Sequence, residues 1–170
     1  MNGIDPRTAE QLKTQHSVVA PLETNIATLA RAIVGPDGNV RAQNNDEIVT
    51  ATNVIDASES GKTFYLNSST EFVSTLPAPA LGLNFKFIVK AAPSGASYTV
   101  VTNASANIIK GNQNSVAGDA GDFGTADDTI TFVDGQAVAG DKVELYCDGT
   151  NWFAYAISKV AAGITFTQAS

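Results

Sequence analysis

The chain has 170 residues with a hydrophobic fraction of 44% and only 16% charged residues, well under the usual quarter or so, so it can bury a core without a charged helical surface. Its formal charge is −7 and its ten basic residues are scattered singly from Arg7 to Lys159, which excludes phosphate neutralisation of nucleic acid and electrostatic docking to an anionic membrane as expected activities. A single Cys excludes an internal disulfide, and no segment approaches the roughly 18 apolar residues of a membrane span.

The N-terminus, MNGIDPRTAEQLK, lacks the basic and apolar regions of a secretory signal, so synthesis and folding in a cytosol are expected. The sequons at Asn67 and Asn103 then carry no glycan. Residues 1–34 form the one helical stretch. Asp5 can cap a helix and Pro6 suits its first position. Leu12, Val19, Leu22, Ile26, Leu29 and Ile33, with polar Gln15, step by three and four. That spacing makes a narrow seam between helices rather than a broad face on a globular core. Pro21 interrupts it, leaving a firmer helix over about 22–34 that Gly35-Pro36 ends. Leu22, Ile26, Leu29 and Ile33 are the expected self-association seam.

Residues 35–47, GPDGNVRAQNNDE, read as a polar linker, and residues 48–170 read as β throughout. Leu83, Phe85, Phe87 and Val89 alternate with mostly polar neighbours, the pattern of a strand with one buried face. Short runs of the same kind recur at IVTATNVI, KTFYL, YTVVT, NIIK, TITFV, KVELYC, WFAYAIS and GITFT, separated by Gly, Pro, Asn and Asp turns. The expected fold is mainly β: an antiparallel, jelly-roll-like β-sandwich with a short N-terminal helical segment and no short repeat of the solenoid kind. Within it, DKVELYCDGTNWFAYAIS (141–158) reads as a hairpin around Asp148-Gly149-Thr150-Asn151. Val143, Leu145 and Cys147 share its inner face, and Trp152 alternates with Ala154 and Ala156, large beside small as a core requires.

The chemistry-bearing residues are few. Cys147 could pair only with His16, the sole His, which lies across the linker, so no nucleophilic dyad is expected. One Cys and one His cannot make a zinc site. GDAGDFGTADDT sets Asp119, Asp122, Asp127 and Asp128 among glycines, a candidate calcium set whose spacing fits no standard calcium loop; the alternative is a solvated loop. Gly61-Lys62-Thr63 lacks the upstream glycine of a phosphate loop. Trp152, Phe153 and Tyr155 are candidate aromatics for a sugar face, with Trp152 better placed in the core. No cofactor and no enzymatic activity are expected.

Residues 75–113 and 127–158 resemble small β-proteins encoded among the virion genes of tailed bacteriophages: capsid decoration (cement) proteins and the related head-fibre and tail-fibre modules. The resemblance rests on Leu76-Pro77-Ala78-Pro79, on Ile108-Ile109-Lys110-Gly111 and on Asp148-Gly149-Thr150-Asn151-Trp152. It implies a homotrimer on the outside of a phage head, contacting the major capsid protein and bridging capsomers. It also implies a location on the virion exterior after synthesis in the host cytoplasm. The alternative it leaves open is a fibre or tail module that binds a host surface glycan.

Overall fold

Alternation of buried and exposed side chains continues through almost every strand of a computed structural model that describes residues 46–115 and 126–168. In chain order the strands are β1 (Asp46–Val49), β2 (Asn53–Val54), β3 (Thr63–Leu66), β4 (Phe72–Thr75), β5 (Leu81–Val89) and β6 (Tyr98–Val101). They continue with β7 (Ile109–Ser115), β8 (Thr129–Phe132), β9 (Lys142–Asp148), β10 (Trp152–Ser158) and β11 (Ile164–Thr167). Among the described residues the only helical pieces are three-residue 3-10 turns. The expected N-terminal helix and its seam lie outside the described residues.

Two mixed sheets result. One has six strands in the order β1-β3-β5-β9-β10-β7, the other five in the order β11-β8-β6-β4-β2. Their buried positions join one hydrophobic cluster that includes Phe64, Phe87, Trp152 and Leu145 from the first sheet and Phe72, Tyr98, Ile130 and Phe132 from the second. Phe64 stacks on Phe87 at 5.1 Å between centroids and Phe72 on Tyr98 at 4.6 Å, the offset contacts that add to area burial in aromatic cores.

The all-antiparallel, jelly-roll-like expectation is corrected here. β1, β3 and β5 are parallel neighbours, as are β2, β4 and β6, and β7 runs parallel to β10. From β1 to β6 the chain crosses to the other sheet after every strand, so successive strands of one sheet point the same way. Apolar alternation reports which face is buried and is silent on strand direction. No repeat betrays this winding because its turns differ in length. Asp46 faces Thr63, and Thr63 faces Lys86, offsets of 17 and 23 residues. Two smaller corrections follow. Asp46 and Glu47, assigned to the linker by composition, open β1, and IVTATNVI divides into β1 and β2 across a bend.

The 141–158 hairpin forms as its sequence dictates. Asp148 Oδ1 accepts hydrogen bonds from the backbone N–H of Thr150 at 2.8 Å and Asn151 at 2.7 Å, and Gly149 takes a φ of 97° that a side chain would resist. Across it Trp152 faces Cys147, Ala154 faces Leu145 and Ala156 faces Val143, all buried. The inner face is wall, as the sequence pattern predicts.

Candidate functional site

Turn chemistry positions a first polar cluster at the start of β3, on the side of the six-stranded sheet where Glu47 pairs in register with the buried Phe64. Asp56 Oδ1 accepts from the Ser58 N–H and Glu59 Oε2 accepts from the Asp56 N–H, each at 2.8 Å, a reciprocal cap that fixes the 57–59 turn. The chain then enters β3 with Lys62 beside Glu59. The Lys62 ammonium bonds Glu59 and, at 2.6 Å, Glu47 Oε2, and sits 5.5 Å from the Phe64 ring centre. Bonding to Glu47 first, then to Glu59, raises the Lys62 pKa, while the Lys62 bond holds Glu59 below the ordinary glutamate range.

Strand register supplies a second cluster, on the outer face of the six-stranded sheet. β5 and β9 pair antiparallel with Lys86 opposite Glu144. Glu144 Oε1 takes the Lys86 ammonium at 3.1 Å and the Lys142 ammonium at 3.2 Å, and Oε2 accepts from the Tyr146 hydroxyl at 3.2 Å. The bond from Lys86, seconded by Lys142, lowers the Glu144 pKa against a desolvation that pushes the other way. Desolvation and the Glu144 charge raise the Tyr146 pKa, so the phenol stays a hydrogen-bond donor. Tyr146 meets Tyr155 of β10 edge-on, with centroids 6.1 Å apart and planes at 68°, and the two rings are 48% and 53% exposed.

Between these groups opens a shallow cavity of about 160 Å³, walled by Lys62, Thr63, Asn84, Lys86, Glu144 and Tyr146. The Asn84 amide N–H group spans Ser60 Oγ and the Gly82 carbonyl, which fixes the plane of the amide.

The outer face of the five-stranded sheet has the opposite character. Register places Thr165, Thr131, Thr99 and Val73 in one row across β11, β8, β6 and β4. A second row runs Thr167, Thr129, Val101, Thr75 and then Val54 of β2. Every outward position of these strands is β-branched and none is charged.

No protein-family model, curated protein or solved structure matches this chain.

The sequence-derived candidates fall as follows. Trp152 is fully buried, and its indole N–H finds no hydrogen-bond partner among the described residues. Cys147 is buried on the inner face, with its sulfur accepting from the Gly149 N–H at 3.4 Å. Phe153 and Tyr155 point outward beside Tyr146. Asp119, Asp122, His16, Leu22, Ile26, Leu29 and Ile33 lie outside the described residues.

Asp127 and Asp128 are buried. The Asp127 backbone exchanges two 2.8 Å hydrogen bonds with Ile109 of β7, and that of Asp128 links Thr102 and Thr167 in the other sheet. Thr129 Oγ1 donates to Asp128 Oδ1 at 2.7 Å. Both residues thus tie the sheets together. Among the described residues no three His, Cys, Asp or Glu side chains cluster as a metal set, and no helix is long and apolar enough to cross a membrane.

Lys62, Asn84, Lys86, Glu144 and Tyr146 escaped the sequence reading, as did the Thr/Val face. Their signals were present in Lys142-x-Glu144-x-Tyr146 and in Thr129-x-Thr131 and Thr165-x-Thr167. These are positions spaced by two on the wet side of each strand, where attention to the apolar side passes them over.

Proposed function

We propose that the chain is a structural virion protein, a capsid decoration or cement protein that binds the outside of a phage head and stabilises it by bridging capsomers. The observation that carries this reading is the uncharged Thr/Val face of the five-stranded sheet. Covering a charged surface strips water from ions at a cost that pairing must recover; covering threonine methyls and valines removes apolar area from water, and the hydroxyls can bond across the contact. Rows of β-branched side chains on paired strands also lose little rotamer freedom when covered. The face is therefore a docking surface fit for a shell protein. The ion pairs of the other sheet would remain in solvent.

In this reading the seam of Leu22, Ile26, Leu29 and Ile33 joins copies into a homotrimer, so each particle-bound unit holds several docking faces at once. Separation of the shell then requires several contacts to break together. The sandwich-like body is the spacer that holds these faces.

Antibody–gold labelling of virions that carry this gene product tests the proposal by electron microscopy. Gold spread evenly over the head is the expected result. Gold confined to the tail, or absent from every particle, would overturn it.

A further inference from the structure

We propose that β1 is an exchangeable strand: it leaves the sheet as a unit, and the β3 edge it uncovers takes the same strand from a second copy of this chain. β1 lies at the edge of the six-stranded sheet, pairs over four residues with β3 alone, and sinks one side chain, Val49, into the core. β7, at the other edge, pairs over seven residues and buries three. Little apolar area therefore holds β1 in place, and segments with few buried contacts are the ones that open first.

Its other tie is an ion pair on the inner side of the sheet. Glu47 is the register partner of the buried Phe64, and its Oε2 takes the Lys62 ammonium at 2.6 Å. Glu59 binds the same ammonium from the turn before β3. Lys62 and Glu59 stay together when β1 leaves, so the cation remains beside the uncovered edge.

Charge and register choose the occupant. A strand laid on the far side of β1 would meet Asp46 and Glu47, and charged residues on an edge strand oppose open-ended pairing. A strand that replaces β1 must set a carboxylate against Lys62 and, two residues on, a small branched side chain in the place of Val49. Asp46–Val49 of a second copy has both and regains the contacts that were lost, which is what makes strand exchange a low-cost route to association.

The hinge also fits. Thr50, Ala51 and Thr52 are all exposed, and they join β1 to β2, the edge strand of the other sheet. Three residues span about 10 Å when fully extended, so exchange brings the β1–β2 edges of two copies side by side. That contact covers apolar area at Ile48 and Val54, which are 52% and 76% exposed on these two strands. The inference rests on the proposed self-association for the nearness of a second copy, yet exchange can fail while gold still marks the head.

Two variants of the full-length chain test it, Ile48→Cys and Tyr65→Cys, each combined with Cys147→Ser so that no other thiol is present. Ile48 and Tyr65 are register partners, and the roughly 4.8 Å between paired strands is a separation that a disulfide can span. The two variants are unfolded together, refolded at rising concentration and oxidised. The expected product is a mixed covalent dimer linked between positions 48 and 65 by peptide mapping, its yield rising at least about fivefold for a tenfold rise in concentration. Glu144→Cys and Tyr155→Cys, register partners within the β9–β10 hairpin, give no such dimer when carried on separate chains. Absence of the 48–65 link at every concentration, or links of 48 to 48 and 65 to 65 alone, would overturn the proposal. Hydrogen exchange of the protein without substitutions gives a second readout. The amides that bond β1 to β3 are expected to exchange at least about tenfold faster than those between β9 and β10, and Lys62→Met should widen that gap. Amides of β1 as protected as those of β9 would show a strand that does not leave, and would overturn it as well.

Discussion

Three donors converge on one carboxylate: the Lys86 and Lys142 ammonium groups and the Tyr146 hydroxyl all reach Glu144. Exposed ion pairs contribute little singly, and this one matters because the group is shared and partly shielded, with 26% of its side chain exposed. Lys86 and Lys142 lower the folded-state pKa, so the stabilisation is complete above the ordinary glutamate value of 4.5 and fades as pH falls through the depressed folded value. Glu144→Gln is therefore expected to cost about 1 kcal/mol at neutral pH. The gap to wild type should be smaller at acid pH, below the depressed folded value, where this carboxylate is protonated in both states. Urea midpoints at the two pH values measure it, and a gap that stays constant would show that Glu144 acts through packing and not through charge. Sequence alone could not reveal this centre. Glu144 and Lys86 are brought together only by the register of β9 on β5, and register is a tertiary fact. Trp152 was the contrary case, since its alternation with Ala154 and Ala156 sufficed to bury it.

At the scale of elements, β7 and β11 pack closely at Gly111 of β7. A Cβ placed there would come within 2.4 Å of the Phe166 ring of β11. The small residues opposite, with Ala154 as the register partner of Gly111, let the ring lie over the strand. Gly111→Ala is expected to destabilise by about 1–2 kcal/mol, at the mild end of overpacking because Phe166 is part-exposed on an edge strand and can swing aside. Phe166→Leu should recover part of that loss in the double variant, since the two side chains compete for one space. Additive losses in denaturant titrations would place the strain elsewhere. Most strands were legible from period-two alternation, and the turn at Asp148–Asn151 from its residue types. β4 was not, because Phe72-Val73-Ser74-Thr75 buries a serine where an apolar residue would have declared the face. Ser74 Oγ bonds Asn53 Oδ1 at 2.7 Å, a partner visible only once β2 lies alongside. Strand direction was illegible for the same kind of reason. Parallel pairing of β1, β3 and β5 depends on where the intervening strands go, and those loops carry turn residues whether the chain returns or crosses over.

Among the described residues the two sheets present outer faces of different chemistry, one uncharged and β-branched, the other bearing ion pairs and tyrosines. On the proposed function the first face is covered in the virion and the second is not, and this assignment can be tested by placing a charge in the middle of the first face and truncating a ring on the second. Thr131 has strand neighbours on both sides, Thr99 and Thr165, so a charge there would be desolvated by any partner that covers the face. Thr131→Glu and Thr131→Lys are both needed, because complementarity with a charged shell would favour one sign, whereas burial penalises either. In the free protein each should change stability by about 1 kcal/mol or less, the span of strand propensities at an outward position. Cosedimentation with heads lacking this protein should fall at least about tenfold for both variants, since an unpaired buried charge costs well over the roughly 1.4 kcal/mol that a decade of affinity represents. Tyr155→Ala on the other sheet should leave cosedimentation intact. If both Thr131 variants bind heads as wild type does while Tyr155→Ala fails, the two faces have been assigned the wrong way round, and the tyrosine face is what meets the shell.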